Sequence, residues 1–175
     1  MDNVKTIIEA YEEAICHLAD STLFEKADSK AKQQGSESAT IVEGPKVSET
    51  LEKYRSKVSN IQSVYAEFKT WKKDNPFTPF GSTANDSPLR GGDLSEVGLW
   101  HLKVGRDVRL FYKPTRVKGK PIILVVGFFT HDETGTGTPP KQRIQKTFAK
   151  SAEGLSKKML GEEQVMEAYT KFLDK

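Results

Sequence analysis

The chain has 175 residues, 36% hydrophobic and 29% charged, which is enough apolar material for one ordinary domain with one buried core. No window approaches the roughly 18 consecutive apolar residues that a membrane helix needs, and Cys16, the single cysteine, excludes an intrachain disulfide or a cysteine-based metal site. The formal net charge of +3 conceals an asymmetry: residues 1–50 carry five Lys and Arg against ten Asp and Glu, whereas residues 101–150 carry eleven against three, a net of +8.

A block this one-sided points to a polyanionic partner, a nucleic acid or an acidic protein, unless the acidic N-terminal segment of the same chain neutralises it. Asp2 and Glu9 stand where a secretory signal would be cationic and then apolar, so a cytoplasmic protein with no membrane partner is expected. In chain order, Val4, Ile7, Ile8, Tyr11, Ile15 and Leu18 repeat at helical spacing and predict an amphipathic helix over 3–19. A polar linker follows from Asp28 to Thr40, then an apolar patch at Ile41-Val42 of edge-strand size. Ser48 is in place to cap a long helix whose apolar residues are Leu51, Tyr54, Val58, Ile61, Tyr65 and Phe68. Pro76 to Gly92 reads as a long polar loop.

Strands come next. Leu99 to Val104 alternates, and a turn at Gly105-Arg106-Asp107 leads into Val108 to Lys113, with Val108, Leu110 and Tyr112 on one face and Arg109, Phe111 and Lys113 on the other. The apolar run Ile122 to Phe129 is a third strand. Thr138 would cap a helix through Ile144, Phe148, Leu155 and Met159 that Gly161 ends, and Val165 to Leu173 makes a last helix. The expected fold class is α+β, an antiparallel β-meander of three to four strands packed on one face against helices. Residues 1–38 form a separate helix and linker, and 39–175 form the domain with its helical extension.

From about residue 40 to 150 this order resembles the RelE/ParE superfamily of type II toxins. The matching strings are Leu89-Arg90-Gly91, Trp100-His101-Leu102-Lys103 and Arg109-Leu110-Phe111-Tyr112, followed by the strand Ile122 to Phe129 and the helix start from Thr138 to Lys150. Where members often carry a Lys-Lys or Lys-Arg pair after the last long strand, this chain has Thr130-His131-Asp132-Glu133. The resemblance implies a toxin held by a cognate antitoxin, acting as an endoribonuclease on mRNA, commonly at the ribosome. The attacking group in that chemistry is the RNA's own 2′-hydroxyl, so no metal and no cofactor is expected. The protein must deprotonate that hydroxyl, stabilise the phosphorane and protonate the leaving 5′-oxygen.

Histidine suits the proton transfers near neutral pH, and Arg or Lys suits the phosphate charge. The candidates are His131 or His101 as general acid/base, Arg109 as phosphate clamp, and Lys103 as second stabiliser or as a proton donor with a lowered pKa. The resemblance supports His101, Lys103 and Arg109, and His131 occupies a place where the family often has a basic residue. Each has a plainer reading: His101 and Lys103 as a solvent-facing strand edge, Arg109 as a structural ion pair, and His131 as a loop cap. Trp100 is read as packing against a helix, with base stacking the alternative. Arg106, Lys113, Arg116, Lys118, Lys120, Lys141, Arg143 and Lys146, with Lys150, read as salt-sensitive contacts to a nucleic-acid backbone. The alternatives are a gyrase inhibitor of the ParE kind, which needs no acid/base pair, and a non-toxic RNA-binding regulatory module. A further expectation is that the acidic N-terminal helix lies over the basic site.

Overall fold

The computed structural model of the chain describes residues 38–90, 92–137 and 139–173, with side chains as far as 163. The expected helix over 3–19, Cys16, the linker as far as residue 37 and the covering role of the N-terminal segment lie outside the described residues, as does Thr138. Of the last linker residues, Ala39 is buried and Thr40 opens the first strand. One compact unit runs to Lys157 and a second begins at Lys158. The first holds the whole sheet and the helices packed on it.

The element order is β1 (Thr40–Glu43), α1 (Val47–Arg55), α2 (Ile61–Asp74), β2 (Asp86–Pro88), α3 (Gly92–Glu96), β3 (Trp100–Lys103), β4 (Val108–Val117), β5 (Lys120–Thr130), α4 (His131–Thr134) and α5 (Gln142–Leu173). The strands form one five-stranded mixed sheet in the order β1-β5-β4-β3-β2. The expected meander β3-β4-β5 is its centre, and Ile41-Val42 do lie in an edge strand, β1, paired parallel to β5. The fold is α+β.

The strand periodicity sorts side chains to two faces, and both are covered. Leu102, Leu110, Tyr112, Ile123, Val125 and Phe128 pack with Val47, Tyr54, Ile61, Tyr65 and Phe68 of α1 and α2. On the other face Phe111, Val126 and Leu99 pack with Leu94 of α3 and with Ala149 and Ala152 of α5. Helices therefore lie on two faces rather than the one expected, which is why β5 reads as a continuous apolar run instead of an alternating one. A register shift between Phe111 and Tyr112 places Gly127 opposite Phe111 and Val125 opposite Tyr112. Gly127 sits there at φ +146°, and the backbone N–H of Phe128 donates to the Thr50 hydroxyl of α1 at 3.0 Å.

Several boundaries differ from expectation: the expected loop from Pro76 to Gly92 contains β2, β4 runs on to Val117 and β5 starts at Lys120, α5 starts at Gln142, and the helices differ further. The single helix expected across Leu51 to Phe68 breaks at Ser56-Lys57-Val58-Ser59-Asn60 into α1 and α2. Ser and Asn compete with the helix for backbone hydrogen bonds, yet Tyr54, Val58, Ile61 and Tyr65 stay in phase and all face the core. Helix α1 begins at Val47, so Ser48 lies inside it, and Lys46 at the N-cap makes no side-chain cap. Gly161 does not end a helix; α5 is helical from Gln142 to Leu173, including the segment expected to be separate.

Candidate functional site

A cleft of about 600 Å³ opens beside the end of the sheet where β3 and β5 finish and β4 begins. Its walls come from six elements and the loops between them. Strand β2 gives Asp86, Ser87 and Pro88, β3 gives His101, β4 gives Arg109, the first residue of α4 is His131, and α5 gives Gln145; Arg90, Leu94 and Thr136 complete much of the rest. Of the four expected catalytic residues, the fold brings His101, Arg109 and His131 to this one cleft. Lys103 pairs with Arg109 across β3 and β4 but is exposed beside the cleft and does not line it.

His101 is half-buried, its ring 6.2 Å from that of Phe111. Burial pushes its imidazole below the ordinary value, Arg109, His131 and Lys103 push the same way, and the Asp86 carboxylate opposes them. The neutral form is thereby favoured. Arg109 is 7% exposed, and its Nη1 donates to the carbonyl oxygens of Gly105 (2.9 Å) and Val108 (3.0 Å). The hairpin turn thus fixes the guanidinium, while the buried Nε has no hydrogen-bond partner among the described residues. A buried unsatisfied donor on a charged group is uncommon in native folds.

His131 begins a four-residue helix whose geometry is set by its neighbours. Its Nδ1 lies 2.9 Å from the Thr136 hydroxyl, so Nε2 is the ring nitrogen left for other work. Thr130 caps the helix through its hydroxyl, and the Glu133 carboxylate in return accepts from the Thr130 N–H at 2.8 Å. Burial would raise the Glu133 carboxyl, but hydrogen bonds from Lys53, Tyr54 and the Thr130 backbone outweigh it and hold it at about 2.

The far wall is pinned from beneath. The Asp86 carboxylate is fully buried and accepts from Lys72 Nζ at 2.9 Å, from the Tyr112 hydroxyl at 2.5 Å and from the Phe80 N–H at 2.7 Å. Lys72 also donates to the Thr78 carbonyl at 2.6 Å, and its ammonium stands 5.1 Å from the Trp100 ring centroid and 4.9 Å from that of Tyr112. Burial lowers the Lys72 pKa against the pull of Asp86, and it raises that of Tyr112. Tyr112 is thus core, and Trp100 packs half-buried against it.

The expected nucleic-acid contacts divide. Arg106, Arg116, Lys118, Lys120, Arg143, Lys146 and Lys150 are exposed. Lys141 is exposed as well but is bound to Asp132 at 2.6 Å. Lys113 departs from the surface contact expected of it: it is 8% exposed, beneath α5 near Glu153, because helix covers the face that was read as open. Arg90 was not among the expected site residues, yet it is the exposed cation in the cleft wall. It stands in the string Leu89-Arg90-Gly91, and that string was its signal. Among the described residues no group of three or more His, Cys, Asp or Glu is disposed to hold a metal ion, and no helix is long and apolar enough to cross a membrane.

No protein-family profile and no curated protein matches the sequence. Solved structures that overlay on the chain include a YoeB/ParE toxin from Agrobacterium tumefaciens, at 17% identity and TM-score 0.42, covering 53% of this chain and 98% of that one. A mutant of YafQ from E. coli overlays at 17% identity and TM-score 0.39, covering 54% and 94%. The conserved hypothetical protein HP0892 from Helicobacter pylori does so at 18% identity and TM-score 0.34, covering 54% and 96%.

Proposed function

We propose that the chain is a toxin of a type II toxin–antitoxin system that cleaves mRNA by intramolecular transesterification without a metal. The observation that carries this reading is the meeting of His101, His131 and two arginines, Arg90 and Arg109, on the walls of one cleft. Two imidazoles and a guanidinium are the set that attack by a 2′-hydroxyl requires: a base, an acid and a fixed positive charge at the phosphate.

His101 takes the proton from the 2′-hydroxyl, because its surroundings favour the neutral form that can accept one. His131 gives a proton to the leaving 5′-oxygen from Nε2 while Thr136 holds Nδ1. Arg109 supplies its fixed positive charge to the phosphorane from the cleft wall, where the carbonyls of the hairpin turn hold its guanidinium, and Arg90 neutralises the incoming backbone from the exposed side. Lys103 adds positive potential from beside the cleft. The exposed cations Arg106, Arg116, Lys118, Lys120, Arg143 and Lys146 hold flanking RNA, or the ribosome, through phosphates. An antitoxin rich in acidic residues would be the complement of that surface.

Expression from a tight promoter in a bacterium, followed by mapping of RNA 5′ ends, tests the reading. Growth arrest with new ends inside translated messages supports it, and loss of both in a His101→Ala, His131→Ala double variant that still folds ties the activity to the cleft. Growth arrest with intact RNA would sink the nuclease and leave a protein target such as gyrase.

A further inference from the structure

Helix α4 is four residues long and cannot hold its own geometry, yet it carries His131. The restraints on it converge from outside. Glu133 Oε1 accepts from Lys53 Nζ at 2.5 Å, and Oε2 accepts from the Tyr54 hydroxyl and the Thr130 N–H. Both Lys53 and Tyr54 belong to α1, which packs on the opposite face of the sheet from α5. One turn earlier on the same helix, the Thr50 hydroxyl accepts from the Phe128 N–H at the irregularity in β5, three residues before His131. Residues 50, 53 and 54 share one face of α1, so a single helical face grips the limb bearing His131 at two points.

We propose that α1 is the positioning element for His131, acting through Tyr54 and Lys53 on Glu133. This rests on the reading of His131 as a proton-transfer group. With the Thr130 hydroxyl at 3.2 Å the carboxylate has four donors, more than capping requires, since Thr130 alone completes the capping box. The work of Tyr54 and Lys53 is to stop α4 from rotating about the end of β5. A reacting group displaced by an ångström loses on the order of a hundredfold in rate, so a tether of this kind has a measurable effect.

The test uses the full chain and the doubly substituted variant Lys53→Met, Tyr54→Phe. Phenylalanine keeps the ring that the core packs against, and Lys53 is 54% exposed, so the thermal melt should stay close to that of the wild type. The imidazole Cε1–H signals are followed by two-dimensional NMR, with His131 and His101 assigned from His131→Gln and His101→Gln. The expected result is that the His131 signal moves or splits while that of His101 stays, and that kcat for RNA cleavage falls ten- to a hundredfold with KM unchanged. Lys53→Arg, combined with Tyr54→Phe, retains a donor for Glu133 and should restore the His131 signal toward its original place. An unmoved His131 signal in Lys53→Met, Tyr54→Phe overturns the proposal whatever the RNA does. If the wild type cleaves no RNA and the His131 signal still moves, the positioning stands and the nuclease reading falls. Should the double variant unfold, Tyr54→Phe alone, which removes one oxygen atom, gives the same readout.

Discussion

His101 shows how much one side chain's surroundings decide. Its ordinary value is 6.5, and burial with the nearby cations lowers it in the fold. Above pH 6.5 the imidazole is neutral in both folded and unfolded chains and contributes nothing to pH dependence. As the pH falls through 6.5 the unfolded chain takes up the proton first, so the folded state loses stability relative to it. Urea denaturation at pH 7.5 and pH 5 should therefore show a smaller acid loss in His101→Gln than in the wild type; identical losses would remove the assigned environment. Lys72 and Asp86 make the contrasting case, with both side chains fully buried and joined at 2.9 Å. Asp86→Asn leaves the ammonium without its counter-charge and should cost about 3–5 kcal/mol, toward the low end because burial lets Lys72 shed its proton. Lys72→Met added to Asp86→Asn should recover part of that loss, measured as non-additivity between the two substitutions.

Elements depend on single residues where backbones come close. Gly135 ends α4 at φ +70°, and a Cβ there would meet the Lys141 carbonyl oxygen at 2.6 Å and the Gln145 nitrogen at 2.9 Å. Backbone cannot yield as a side chain can, so Gly135→Ala should destabilise by about 1–3 kcal/mol and, on the proposed reading, weaken RNA cleavage by loosening His131. Gly154 is the opposite: it lies in α5 with nothing near its missing Cβ. Gly154→Ala should raise stability by about 0.5–1 kcal/mol in a thermal or urea melt. The same contrast explains what could be read from the sequence. The β3-β4-β5 meander announced itself through local alternation and the apolar run of β5, and Tyr112 was legible as core from its partners Val108 and Leu110. The break between α1 and α2 left no mark in the apolar pattern, which keeps helical phase across it and outweighed the signal of Ser56, Ser59 and Asn60. Lys113 looked exposed because only the crossing of α5, far later in the chain, covers it. Arg90 escaped for the same reason: its place in the cleft depends on β2 pairing with β3 and on α5 closing the wall.

For the whole molecule the charge distribution makes a quantitative demand. If the exposed cations contact phosphates, the logarithm of affinity for a single-stranded RNA falls linearly with the logarithm of salt concentration. Replacing one of them, Lys146→Ala, should reduce that slope by about 0.7 without altering which sequence is preferred. An unchanged slope would place Lys146 outside the contact. Lys141→Ala should change it less, because Asp132 already occupies that ammonium. The order of the sheet has a different consequence, in time rather than in energy. Strand β1 pairs in parallel with Ile122 to Val125, about eighty residues further along the chain, whereas β3, β4 and β5 are joined by short turns. The meander should therefore assemble early and β1 join late, a sequence that pulse-labelled hydrogen exchange would resolve. During synthesis the cleft itself waits longer still, since His131, Thr136 and Gln145 leave the ribosome after every strand, so a nascent chain carries the sheet before it can close the cleft.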